Sequence, residues 1–196
     1  MKKSVSLFST IALFAMCMSF TSCMDEDVEG SIVLSGQWYG DWGMYYEYRD
    51  HFGRIVRYDS YDTDIVFYPD YDYATHGYGY QVDWYEYGPY ERLSFRFEWR
   101  IVNGVIDIYY PGYPEYNTFI RKYRLSGNYF SGYLGNSNWS FKLNKIRDYY
   151  DWSYYYGYDY RKWGWGYYGK TRSSDGEEVP SDGTIVKVGS RYAEAQ

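Results

Sequence analysis

Cysteine, histidine and proline are scarce in this chain, and the first two shortages each remove a class of explanation. Of 196 residues only two are cysteine, Cys17 and Cys23, and only two are histidine, His51 and His76. So few thiols and imidazoles assemble neither a disulfide framework nor a Cys/His zinc set. The patterns HExxH, CxxC and GxSxG are absent, as is a glycine loop that cradles phosphate, so no familiar catalytic or nucleotide motif is visible. Positive charge is also short, with 20 Lys and Arg against 26 Asp and Glu and a formal net charge of −6. Without a basic patch, phosphates would go unneutralised, which excludes nucleic acid as a partner. Beyond residue 22 no apolar run approaches the ~20 residues that a membrane-spanning helix needs.

The first 22 residues have the zones of a secretory signal: Lys2 and Lys3, then the apolar "VSLFSTIALFAMCMSF", then small Thr21 and Ser22. Phe20-Thr21-Ser22-Cys23 resembles the lipobox of bacterial lipoproteins. That resemblance implies that the signal (1–22) is cut before Cys23, which becomes the acylated, membrane-anchored first residue. Two or more acyl chains, at ~0.8 kcal/mol per buried CH₂, hold a protein on a bilayer where one does not. Loss of Lys2 and Lys3 moves the formal charge from −6 to −8. Asp25, Glu26, Asp27 and Glu29 then make residues 23–33 an acidic tether, expected to be solvated. Such a run resembles the export tag of Gram-negative surface lipoproteins. It implies an outer-membrane, cell-surface-facing location, with a periplasm-facing one as the alternative.

What the chain has in excess is aromatic residues, 25% of the total, with 31 Tyr and 8 Trp. From residue 34 to 146 they fall into a period of two. In "LSFRFEWRI", Leu93, Phe95, Phe97, Trp99 and Ile101 share one face, and Ser94, Arg96, Glu98 and Arg100 share the other. This is the signature of a half-buried antiparallel strand. Asn103-Gly104 supplies a two-residue type I′ turn into "VIDIYY". Strands are predicted near 36–48, 62–69, 78–87, 91–102, 105–110, 117–125, 128–134 and 138–145. The fold class is therefore all-β, a small antiparallel up-and-down barrel of about eight strands, with a β-sandwich as the alternative. Residues 147–196 break the alternation with Tyr, Trp and Gly and read as a low-complexity, flexible tail, of which "TIVKV" forms at most one short strand.

"LSGQWYGDW" resembles the Gly-x-Trp entry of lipocalin-like barrels, with Gly36 and Trp38 in the matching places. That resemblance implies a basic residue packed over the Trp from the last strand, and Lys145 has the strand parity for it. It also implies an internal ligand, but side-chain volume argues otherwise. An eight-stranded barrel is just wide enough to be filled by its own side chains. The inward candidates Trp38, Phe67, Phe95, Phe97, Trp99, Phe119 and Phe141 are bulky, so a filled interior is expected, with any site on an outer face or at an open end.

The outer candidate is Tyr78, Tyr80, Trp84, Tyr85 and Tyr87, interleaved with Asp83 and Glu86. Flat rings beside carboxylates suit stacking on a glycan or other small molecule. Against this stands a reading in which Tyr80, Val82 and Trp84 are one core face. The functional expectation is a membrane-anchored, non-enzymatic binding module that needs no cofactor or metal. A structural accessory docking on an outer-membrane protein complex through its aromatic tail is the alternative. A hydrolase using carboxylates such as Glu86, Glu91 and Glu98 is the third reading.

Overall fold

The computed structural model describes residues 25–111, 114–138, 140–148, 168–171 and 183–191. Eight strands close a barrel: β1 (Gly36–Asp41), β4 (Asp62–Pro69), β5 (His76–Trp84), β6 (Tyr90–Val102), β7 (Val105–Tyr109), β8 (Thr118–Leu125), β9 (Tyr129–Leu134) and β10 (Ser140–Arg147). Each pairs antiparallel with its neighbours along the barrel sequence. The pairings β6–β7 and β1–β10 complete the circle. The meander is thus up-and-down, with one excursion. Between β1 and β4 the chain leaves the wall to form the hairpin β2 (Met44–Arg49) and β3 (Ile55–Asp59).

The expected single strand 36–48 is therefore two. It breaks at Trp42-Gly43, where the Gly43 N–H is taken by the Asp41 carboxylate at 2.8 Å and Trp42 turns into the core, its ring tilted against Phe141 at 4.6 Å. The Asn103-Gly104 turn has positive φ at both residues, and it sets Val102 opposite Val105.

The interior is solid with rings. Trp38, Phe67, Phe97, Phe130 and Phe141 are all at 0% exposure. Phe130 sits 4.9 Å from Phe141 and 5.5 Å from Trp38, and Phe67 lies 5.2 Å from Phe97, all edge-on. Edge-to-face contacts of this kind add to the burial of each ring. Phe119 departs from expectation. The β8 residue facing inward is Ile120, paired with Ile106 and Leu134, so its neighbour Phe119 points outward, with Arg121 5.9 Å from its ring.

Both ends are plugged. One is closed by α1 (Glu26–Leu34), formed from the segment expected to be a solvated tether. Asp25 caps it by accepting from the Asp27 N–H at 3.0 Å, and Glu26, Asp27 and Glu29 lie at the positive end of its dipole. The Asp27 carboxylate also accepts from the backbone N–H groups of Asn103 and Gly104 at 2.7 and 2.8 Å. The acids thus latch the helix to the β6–β7 hairpin, a long-range contact with no local signature.

The other end is covered by a three-stranded sheet in which β2 lies between β3 and β12 (Thr184–Ser190). Tyr46 of this sheet meets Tyr85 and Tyr58 at 4.6 and 5.1 Å. Val188 and Ile185 of β12 join the same core. A further strand, β11 (Tyr168–Thr171), extends the wall along β6. Within the segment expected as a flexible tail, the one short strand allowed for "TIVKV" forms as β12, and β11 is a second strand that was not expected. Residues 149–167, 172–182 and 192–196 of that segment, and Cys23 with the signal, lie outside the described residues. Among the described residues no helix is long and apolar enough to cross a membrane.

Candidate functional site

Strand β5 decides where a site can form. Its register opposite β6 sets Gly79 against Phe97 and Gln81 against Phe95, so the inward residues of β5 are Gly77, Gly79, Gln81 and Asp83. Tyr78, Tyr80, Val82 and Trp84 face outward. Tyr80, Val82 and Trp84 do share one packed face, but it lies on the outside of the wall and not in the barrel interior. The reason is steric: a Cβ at position 79 would lie 2.1 Å from Phe97 Cζ. Only a glycine there leaves the large ring its space. On the outside, Val82 pairs in space with Val66 beneath Tyr68, Tyr80 and Trp84, forming a small second cluster.

The inward polar residues of β5 build a closed network. Asp83 is 0% exposed; it accepts from Thr63 Oγ1 at 2.7 Å and from Gln81 Nε2 at 3.0 and 2.9 Å. Gln81 Oε1 accepts in turn from the Tyr110 hydroxyl at 2.6 Å. Burial pushes the Asp83 carboxyl up to about 7, and the bonds from Thr63 and Gln81 offset only part of that rise. On the outer face, burial likewise raises the Asp64 carboxyl, opposed by hydrogen bonds from Trp84 and Gln37.

Outside the wall, over β5, β6 and β7, an open groove of about 810 Å³ is lined by Tyr78, Arg96, Glu98, Arg100, Asp107 and Tyr109, with Asp70 and His76 at one end. The volume lies within the ~300–1,000 Å³ of small-molecule sites. Tyr78 forms one aromatic wall, stacked on Tyr68 at 5.3 Å and 24°, with the Arg96 guanidinium 5.5 Å from its ring. Arg100 is held by Asp107 at 2.9 Å across the hairpin, and His76 stands 3.5 Å from Asp70. Tyr109, half exposed, forms the opposite wall. Charged donors and acceptors thus alternate along a floor between two rings.

Of the five aromatic candidates, Tyr78 and Tyr80 are adjacent, 6.0 Å apart and edge-on, and only Tyr78 lines the groove. Trp84 lies farther along the same face, its N–H donated to Asp64 at 3.0 Å and Arg92 5.7 Å from its ring. Tyr85 does not belong to any rim. At 1% exposure it is packed into the core against Tyr46, because the chain leaves β5 there and turns under the three-stranded sheet. Tyr87 is exposed in the following loop. The five therefore do not converge.

Asp107 and Tyr109 were missed, although the sequence held a signal for them. A two-residue turn at Asn103-Gly104 dictates that Arg100 opposes Asp107 and Glu98 opposes Tyr109, as observed. The entry motif packs as a unit: Gly36 opens β1 opposite Phe67, the Trp38 indole donates to the Leu34 carbonyl at 2.7 Å, and Lys145 Nζ stands 5.4 Å from the Trp38 ring. The same ammonium donates to the Val33 carbonyl at 3.1 Å and pairs with Asp148 at 2.8 Å.

The class defined by this fold is the closed eight-stranded antiparallel up-and-down barrel, an architecture consistent with a lipocalin-like fold. No protein-family model, curated protein or solved structure matches this chain.

Proposed function

We propose that this protein is a lipid-anchored bacterial surface lipoprotein whose barrel binds glycans on its outside wall. The observation that carries the reading is the groove between Tyr78 and Tyr109. Rings stack on the apolar faces of sugars, and the interleaved Arg96, Glu98, Arg100 and Asp107 offer hydrogen bonds to hydroxyls. The ring-filled interior supports placing the ligand outside, since no apolar guest shares space with Phe67, Phe97, Phe130 and Phe141. With three acids against two arginines along the groove, counting Asp70 with Glu98 and Asp107, a neutral oligosaccharide fits better than an acidic one. The anchor rests on the lipobox-like Phe20-Thr21-Ser22-Cys23.

Titration calorimetry against a panel of linear neutral oligosaccharides tests the site. Saturable binding that weakens at least about tenfold in Tyr78→Ala, a loss of about 1.4 kcal/mol, is expected. Absence of saturable binding across the panel, or binding indifferent to both Tyr78→Ala and Tyr109→Ala, refutes it. Mass spectrometry of the N-terminal peptide tests the anchor separately: Cys23 carries thioether-linked lipid, and an unmodified thiol there removes that part of the proposal.

A further inference from the structure

The acidic segment after Cys23 is helix from Glu26 onward, capped by Asp25, and this limits how far the barrel can stand from a lipid on that cysteine. Cys23 precedes the cap by two residues, which span at most about 7 Å. The polar layer of one bilayer leaflet is itself about 5–8 Å thick. A chain acylated at Cys23 therefore cannot lift its α1 end clear of the headgroups. The opposite end, covered by the three-stranded sheet, is held away from them by the length of the barrel.

Two segments meet α1 at its end of the barrel. The Ser31 hydroxyl donates to the Ala74 carbonyl in the β4–β5 loop, and the Asp27 carboxylate holds the β6–β7 turn. These two segments are joined to each other where the Ile101 N–H donates to the Thr75 carbonyl at 2.6 Å. Each presents apolar groups to the outside. Tyr71 and Tyr73 of the loop are 63% and 66% exposed, Val102 beside the turn 46%, and Ile32 on the helix 42%. Charge there is mixed, with Glu26, Glu29, Asp70 and Asp72 set against Lys122 and Arg124 of β8, which also packs on α1.

We propose, resting on the acylation of Cys23 inferred above, that the α1 end of the barrel is a membrane-contact surface. Tyr71, Tyr73, Val102 and Ile32 are seated among the headgroups of a zwitterionic bilayer. Tyrosine suits that depth because its ring is apolar and its hydroxyl stays wet. Anionic leaflets attract clustered Lys and Arg. An end on which acids outnumber bases gains nothing from such a leaflet, so neutral headgroups fit it better. A second exposed apolar cluster, Phe52 and Ile55, belongs to the β2–β3 hairpin of the sheet at the opposite end. The short link from Cys23 keeps that cluster in water.

Electron paramagnetic resonance on the acylated chain in phosphatidylcholine vesicles tests this. With Cys17 removed in the signal and Cys23 blocked by lipid, an introduced cysteine is the one thiol to label. A spin label at position 72, from Asp72→Cys, should collide with a water-soluble nickel relaxant severalfold less often than one at position 51, from His51→Cys. Equal collision rates, or a label at 51 that is the better shielded, overturn the proposal. Nuclear magnetic resonance of the wild-type chain in phosphatidylcholine nanodiscs needs no variant. Lipid carrying a gadolinium chelate on its headgroup should broaden the Tyr71 and Tyr73 amide signals before those of His51 and Phe52, and the reverse order refutes the seating. The mass of the same sample separates the two readings. If Cys23 carries lipid and position 72 is as wet as position 51, the anchor stands and the seating fails; a chain without lipid overturns both.

Discussion

Raising the pH from about 5 to about 7.5 should destabilise this protein through one residue, Asp83. The carboxyl is fully buried inside the barrel wall, and its folded-state value is raised from 3.8 to about 7. Below about 3.8 the proton is held in both folded and unfolded states, and the contribution to stability is complete. Between there and about 7 only the folded state holds it. Each pH unit then lowers the unfolding free energy by about 1.4 kcal/mol. Above about 7 both states are ionised and the loss is constant. Between about pH 5 and pH 7.5 the loss is therefore about 3 kcal/mol.

Asp64 shifts in the same direction, so the variant Asp83→Asn isolates the effect. Urea unfolding followed by tryptophan fluorescence at the two pH values, on wild type and variant, gives the four free energies needed. The wild type should lose about 3 kcal/mol more than the variant over this interval. Equal losses would show that the Asp83 environment stabilises the carboxylate as well as water does, and the account of the Thr63–Gln81–Asp83–Tyr110 network would fail.

Three further outcomes test the packing. Gly79→Ala drives a methyl into Phe97 and should destabilise by about 1–3 kcal/mol in thermal unfolding; a neutral change would mean the ring has room to move. Asp27→Ala frees the N–H groups of Asn103 and Gly104, lowering stability by about 1 kcal/mol and speeding exchange at those two amides; unchanged exchange there would show that α1 is held by other contacts. Lys145→Met keeps most of the aliphatic stem but removes its bond to the Val33 carbonyl and its charge over Trp38. A loss of about 1–2 kcal/mol follows, and an unaltered melting temperature would reduce the pairing to coincidence.

The groove shows how far a functional surface can be read before the chain is folded. Arg96, Glu98 and Arg100 were visible as the wet face of β6. Their neighbours from β7 followed from the Asn103-Gly104 turn, because a two-residue loop leaves only one register. Tyr78 was singled out as well. Its partner wall, Tyr109, was hidden only because the turn was not carried through to its pairings. By contrast, Tyr85 and Tyr87 looked like continuations of the same aromatic stretch. One is in the core and the other in solvent, since β5 ends at Trp84 and the chain bends under a sheet brought from elsewhere.

Local pattern settled most of the barrel strands. Alternation and turn residues act between near neighbours, and Asp62–Pro69 was found at its observed bounds while β6 was placed to within a residue at its start. What sequence could not decide was which face of a strand looks inward, and β5 is the case in point. A period of two defines two faces but ranks them only by hydrophobicity, and here the less apolar face won. Phe97 on the adjacent strand occupies the volume that a side chain at position 79 would need, so glycines and a polar network go inside and the tyrosines go out. The roles of α1, β3 and β12 were decided in the same way, by contacts between residues far apart in the chain, which exist only once the barrel has closed.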